Sequence, residues 1–394
     1  MVHRLGKHCC LALLGILLTA VCLMAGTVGC DPAPDCLEIR DWYDLDAIRD
    51  NPRGYYALMN DLHSSTAGYV ELASSVANQG KGWQPIGTSD GPFSGTFDGQ
   101  AYEISDMFIN RADESAVGLF AAVDAGGLIQ NVRVLNADVT GDWAVGGLVG
   151  ENWGDVRGSY SGGTVTGADC VGGLVGGNAG GVSDSYSAAS VTGHWDVGGL
   201  VGCGDSRGSV TGSYSMGDVT GEWAIGGLVG GNLGGTVAGC YSTGGVTGDD
   251  YVGGLVGDNQ GSVSDSYSTG SVTGEWYVGG LVGDNDSMGT VNNSYASGRV
   301  IGQSFAGGLV GSNWGTVSNS FWNTETSGMT ESDGGAGKTT AEMQDIATFT
   351  DATREWLDSP WDVTAVAAGE TDGAFIWNMV EEQTPPFFSW QPAS

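Results

Sequence analysis

The chain has 394 residues, 71 of them glycine, with 46 Asp plus Glu against 13 Lys plus Arg and a formal net charge of −33. Glycine at that level without a Gly-X-Y period excludes collagen, and a hydrophobic content of 41% excludes a disordered chain. So acidic a surface repels nucleic acid and anionic headgroups; it favours solubility and weak cation association and carries no information about fold.

Residues 1–29 carry Arg4 and Lys7, then an apolar run from Leu11 to Met24 that is short for a bilayer span, then a polar stretch with proline. This is the pattern of an export signal. Cleavage there would leave 46 acids against 11 bases, a formal charge of −35. Thr27-Val28-Gly29-Cys30 is similar to a bacterial lipoprotein box, with threonine where leucine is usual. The similarity implies a lipid on Cys30. Ordinary signal-peptidase cleavage after Gly29 is the other reading; it cuts the same bond and leaves Cys30 able to pair with Cys36 in an oxidising compartment. The expected address is therefore outside the cell: a cell-surface or outer-membrane lipoprotein that meets the membrane only through that lipid, or a secreted protein.

Residues 30–40 read as a spacer stiffened by Asp31-Pro32-Ala33-Pro34. Residues 41–116 read as an N-terminal cap with the first irregular coils. Within it Trp42, Leu45 and Ile48 recur at three-residue spacing, which predicts a short amphipathic helix ended by Pro52-Arg53-Gly54, and Tyr55 to Leu62 predicts a strand. Such a helix can cover the open end of a stacked sheet. Short β-like pieces follow from Trp83 onward, and Val117-Gly118-Leu119-Phe120 is a degenerate first repeat.

Residues 117–322 are the repeats. Gly-Gly-Leu-Val-Gly occurs seven times, starting at Gly146, Gly172, Gly198, Gly226, Gly253, Gly279 and Gly307, at intervals of 26 to 28 residues. The distance from the next valine (Val156, Val182, Val210, Val237, Val263, Val291) to the following Gly-Gly is always 16, so all length variation falls at one corner. Three short β segments per period predict a triangular coil of a parallel β-helix, and seven coils at about 4.8 Å make a rod segment roughly 30–35 Å long. Glycine inside every candidate helix window disfavours a helical solenoid, and the period is too short for a propeller blade. Stacking turns columns into ladders: Tyr160 to Phe321 for aromatics, Asn152 to Asn313 for amides with a break at Gly204, and Leu148 to Leu309 for the core. Reading Val156 and Tyr160 both inward would bury Asp184, Asp265, Asn293 and Asn319, so a corner is expected there. Cys170, Cys203 and Cys240 fall in three different columns and read as free thiols. Residues 323–394, with a capping box at Thr339 to Glu342 and aromatics from Trp356 to Trp390, read as a C-terminal cap closing the rod's end.

The core Gly147-Leu148-Val149-Gly150-Glu151-Asn152, with the Ser-Tyr-Ser and Val-Thr-Gly blocks that follow, resembles the GLUG motif of bacterial surface proteins. Trp83 to Gly99 and Lys338 to Met343 are similar to segments that accompany it, so the resemblance covers most of residues 38–390. It implies an exported, surface-associated β-solenoid. GLUG repeats also accompany immunoglobulin A1-specific metallopeptidases, but no HExxH occurs here and that activity is not carried over.

Little else marks chemistry. Beyond the leader only His63 and His194 remain, which argues against a histidine zinc site or a Ser-His-Asp triad. Gly334 to Thr339 lacks the first glycine of a phosphate loop, and no GGxGxD calcium repeat is present, so no cofactor or metal is expected. Asp184 and Asp265 are acids of the kind a polysaccharide-cleaving β-helix would use, but their coils are not adjacent. The most suggestive set is Trp143, Trp195, Trp223 and Trp276 in one column, preceded by Asp142, His194, Glu222 and Glu275, with Tyr251, Tyr277 and Phe305 in the next column. Rings beside carboxylates can stack on sugars and accept their hydroxyls; the plainer alternative is that they cover a glycine-rich corner. The expected function is a non-catalytic adhesion or scaffold module binding a glycan or protein outside the cell. The alternative is a polysaccharide lyase or glycosidase.

Overall fold

The computed structural model describes residues 36–391. The chain is all-β, a succession of short strands wound into a parallel solenoid whose equivalent residues stack coil on coil. Val149, Val175, Val201, Val229, Val256, Val282 and Val310 pair directly from one coil to the next. Phe120 adds an eighth rung beside Val149, so the degenerate repeat is a true coil that lacks one of the paired glycines. Leu148, Leu174, Leu200, Leu228, Leu255, Leu281 and Leu309 are all fully buried, in one axial row.

Most coils have five short strands in four ladders, where three segments were expected: one ladder has 11 strands, one 16, one eight and one seven. The difference has two causes. The glycine pair bends the chain sharply between Trp223–Gly226 and Val229–Asn232: a Cβ at Gly226 would overlap the carbonyl oxygen of Val229, and one at Gly227 that of Gly254. The Tyr and Val-Thr segments are also separate strands in most coils, although they join one ladder. The expected corner is present. Asn131, Asp184, Asp265, Asn293 and Asn319, with Gly158, Gly212 and Gly239, have φ of 45° to 65°, the left-handed region these residue types tolerate.

That corner also settles which side chains point inward. Val156 and its equivalents through Val291 are buried, the serines after the corner are buried, and the tyrosines face out. Ser159, Ser185, Ser213, Ser266, Ser294 and Ser320 form an internal ladder in which each hydroxyl accepts from the backbone N–H one coil earlier, as from Ser185 to Ser213 at 3.1 Å. Cys240 replaces a serine there and is fully buried, its thiol pushed up to about 12 by burial. The outward tyrosines stack with centroids 4.5–5.0 Å apart from Tyr160 to Tyr295.

The amide ladder runs from Asn152 to Asn178 and from Asn232 through Asn259 and Asn285 to Asn313, with Nδ2 donating to the next Oδ1 at 2.7–2.8 Å. At Gly204 the ladder is interrupted.

At the N-terminal end the predicted helix is Trp42–Asp46, continued by a 3-10 turn; Trp42, Leu45 and Ile48 are fully buried, Trp42 against Trp83 and Tyr69. Cys36–Ile39, read as spacer, is already a strand paired with Tyr55–Leu58, and this second strand is shorter than expected. Cys30, and with it the pairing with Cys36, lies outside the described residues, as does the leader. At the other end Ala336–Lys338 adds a strand to Phe321–Asn323, and the Thr339 capping box forms. The loop before that strand covers the last coil, Ser332 Oγ accepting from the Leu309 and Val310 N–H groups at 3.1 and 2.9 Å and Met329 packing on the core, whereas the rest of the tail does not cover the end. It runs back along the tyrosine face, with Trp377 and Phe388 against Tyr267 and Trp390 against Tyr241 and Tyr214.

Candidate functional site

A strand normally sends alternate residues to opposite faces. The strand before the glycine pair breaks that rule. Ala144, Cys170, Asp196, Ala224, Tyr251, Tyr277 and Phe305 have φ of 49° to 57°, so the pairing skips them and the ladder joins only the residues on either side. The left-handed residue bulges outward at the same place in every coil, so the coils stay in step, and both it and the residue before it face outward in most coils while the following valine or isoleucine stays buried. For an L-residue this conformation costs roughly 1–2 kcal/mol, and bulky residues such as tyrosine and phenylalanine adopt it rarely. In so glycine-rich a chain, strained aromatics held at these positions point to a use for the side chains.

The seven expected platform residues lie on one face. Trp143, Trp195, Trp223 and Trp276 are 39–56% exposed. Tyr251 stacks on Tyr277 and Tyr277 on Phe305 at 5.0 and 4.9 Å, and Trp223 meets the edge of Tyr251 at 4.6 Å. The register shows what column reading of the aromatics alone left out. Asp169 stands between Trp143 and Trp195, and Asp250 between Trp223 and Trp276. Both could have been found by counting three residues back from Gly172 and Gly253.

Further carboxylates flank this row. Asp196 lies in the bulge column, and Asp258 and Asp284 are paired neighbours across the glycine bend. Burial, with Asp169 and Asp258 nearby, pushes the Asp196 carboxyl up to about 7. Burial also lifts Asp258 to about 6, Asp284 and Asp286 adding to this and a hydrogen bond from Gln260 opposing it. Asp169, Asp250 and Asp284 are raised chiefly by burial. One carboxylate oxygen each of Asp169 and Asp250 is covered and accepts no hydrogen bond. Asp169, Trp195, Asp196 and Trp223 line one shallow depression, and a ligand atom of Asp169 lies within 4.8 Å of one of Asp196.

Cys170 and Cys203, read as free, form a disulfide with Cα atoms 5.0 Å apart. They do occupy different columns, but the bulge column of one coil meets the first outward column beyond the glycine bend in the next coil, 33 residues on. Ala144 and Gly177, Asp196 and Gly231 face each other in the same way. The bridge takes up the Cys170 sulfur, so the group of Asp169, Cys170 and Asp196 offers a metal two carboxylates only. Asp184 and Asp265 sit at the left-handed corner on the tyrosine side, with Gly212 and Gly239 in the coils between them. They are not brought together.

Residues 141–166, 221–247, 248–273 and 274–301 match the family model of the GLUG motif. The unmatched stretch between the first two holds the disulfide and the interruption of the amide ladder. Over 124 residues, 29% of this chain, the sequence is 37% identical to halomucin of Haloquadratum walsbyi, and over 108 residues, 27% of this chain, it is 35% identical to a Gly-rich protein of Evansella cellulosilytica described as a membrane protein. The matched parts are 1% and 12% of those relatives' own lengths. Among solved structures, a Bacteroides ovatus protein described as a candidate immunoglobulin A1 protease is similar at 17% identity with a TM-score of 0.49, over 71% of this chain and 83% of that one. The chain is a parallel β-solenoid that carries GLUG-motif repeats at four positions.

Proposed function

We propose that this chain is a non-catalytic β-solenoid displayed outside the cell, an adhesion or scaffold module that binds a glycan through the tryptophan face. The observation that carries this reading is the row of exposed indoles from Trp143 to Trp276, aligned along the rod beside strained aromatics and carboxylates. Apolar corner filling would bury these rings, and they are not buried. The matched relatives, one named halomucin and one described as a membrane protein, support an address at or beyond the cell surface. Attachment through lipid on Cys30 belongs to the same proposal and is tested by the mass of the mature N-terminus. A glycan panel tests the binding: Trp223→Ala is expected to weaken retention with unchanged melting, and failure of the parent protein to retain any glycan overturns the reading.

One observation favours a second reading. Asp169 and Asp196 approach closely between two tryptophans with one carboxyl protonated near neutrality, and paired carboxyls at short range are the machinery of retaining glycoside hydrolysis. New reducing ends from incubated polysaccharides would favour it over the non-catalytic one.

A further inference from the structure

The glycan reading leaves the sugar class open, and the charge on this face narrows it. Each tryptophan of the row pairs with a carboxylate, Trp143 and Trp195 with Asp169 and Trp223 and Trp276 with Asp250, while Asp196 lies in the bulge column and Asp258 and Asp284 across the bend. His194 is held by Glu222 at 2.9 Å, which leaves the face with no unpaired base among these residues. These carboxylates crowd one another, as Asp196 does with Asp169 and Asp258, and Asp258 with Asp284. A polyuronate or sulfated chain would be repelled here. A neutral chain would stack on the rings and leave the crowded acids unrelieved. A chain that carries positive charge would stack, relieve the repulsion, and donate to the uncapped oxygens of Asp169 and Asp250.

Resting on the glycan reading, we propose that the partner is an extended polysaccharide with free, protonated amino groups, a de-N-acetylated amino-sugar polymer, lying along the rod axis from Trp143 to Trp276. The geometry suits it. Coils repeat at about 4.8 Å, close to the length of one pyranose unit, so an extended chain keeps step with the coils over about 24 Å. An ammonium group close to an indole face and a carboxylate gains from both, by cation–π attraction and by a charge-assisted hydrogen bond. A hydrated metal ion would use the acids and have no need of the rings.

Polyanions attract polycations without any site, so the test must separate the face from the net charge. The probe is a fully de-N-acetylated amino polysaccharide, at a pH where its primary amines are protonated and can donate, measured by titration calorimetry with the full chain against a fully N-acetylated polymer of the same backbone. Binding of the charged probe is expected to fall about tenfold in Trp223→Ala, the loss of one desolvated cation–π contact. A fall of the same order is expected in Asp196→Asn, while Asp184→Asn, at least as large a charge change at the corner on the tyrosine side, leaves it unchanged. Equal losses in Asp196→Asn and Asp184→Asn, or none in Trp223→Ala, would reduce the binding to bulk electrostatics and overturn the proposal. Equal affinity for the acetylated polymer would also overturn it while leaving the glycan reading intact. Binding of neither polymer, and of nothing else in the glycan panel, removes both. Melting curves of each variant establish that the fold is kept.

Discussion

Truncating one rung of the amide ladder is expected to cost a large share of the rod's stability. Asn259 is fully buried; its Nδ2 donates to Asn285 Oδ1 at 2.7 Å and, at longer range, to the carbonyls of Gly261 and Thr290. Its Oδ1 accepts from Asn232 Nδ2 at 2.8 Å and from the Gly261 N–H at 3.3 Å. In Asn259→Ala the Asn285 oxygen and the Gly261 N–H lose their partners, whereas Asn232 keeps the Gly235 carbonyl. Each orphaned group costs about 1–3 kcal/mol, so the expected loss is about 3–5 kcal/mol with the small cavity included. Against a total of about 5–15 kcal/mol that is severe. The chain supplies its own converse at Gly204, where an added Cβ would meet nothing closer than 3.8 Å and the ladder has a gap between Asn178 and Asn232. Gly204→Asn is therefore expected to stabilise by about 1–2 kcal/mol, from two restored amide links, to Asn178 and to Asn232, and the lost glycine freedom. Urea unfolding followed by tryptophan fluorescence and by hydrogen exchange reads both. Because neighbouring coils carry the coupling, exchange should quicken first in the strands at Val229–Asn232 and Val282–Asn285. An Asn259→Ala midpoint within error of the parent, or a destabilised Gly204→Asn, would refute the ladder as a source of stability.

Three further outcomes follow from particular residues. The disulfide closes a separation of 33 residues, so Cys170→Ser with Cys203→Ser, or reduction of the parent, should lower stability by roughly 3–4 kcal/mol; a melting profile indifferent to reductant would contradict this. Asp196 holds its proton more tightly folded, up to about 7, than unfolded, so the native state binds the extra proton and stability falls as pH rises from about 4 to about 7, then levels. Asp196→Asn should flatten that slope and raise the urea midpoint at pH 8 without changing it at pH 4; an unchanged slope would refute the assignment. Cys240 should resist an alkylating reagent at pH 8 in the native protein and react fully in urea, read by peptide mass; rapid native labelling would mean the serine ladder opens.

Much of the rod is legible in the sequence because stacking repeats one physical constraint in every coil. Leu228 or Asn259 alone says nothing; a column of them at 26 to 28 residues says that each packs on its copy. The corner at Asp184 and Asn293 is readable for the same reason, since acids and amides tolerate the left-handed backbone. The bulge column is not. Alanine, cysteine, tyrosine and phenylalanine give no turn signal, and Asp196 is the single acid among seven, so neither the extra outward side chain nor the extra ladder could be read. The disulfide was hidden by the same bend, because the pair meets across a corner whose angle no spacing encodes. Of the site, the rings were visible as a column, whereas Asp169 and Asp250 were missed through grouping residues by type and not by register. The tail's apolar payload was evident, but Trp377 and Phe388 choose the tyrosine face over the rod's end by a route that composition does not specify.

The decisive measurement is a crystal structure of the full chain with a short glucosamine oligosaccharide. Sugar rings lying along the axis against Trp195 and Trp223, with ammonium groups at Asp169, Asp196 and Asp258, are the predicted result. An oligosaccharide bound on the tyrosine side, or the tryptophan face left bare at saturating ligand, would contradict it.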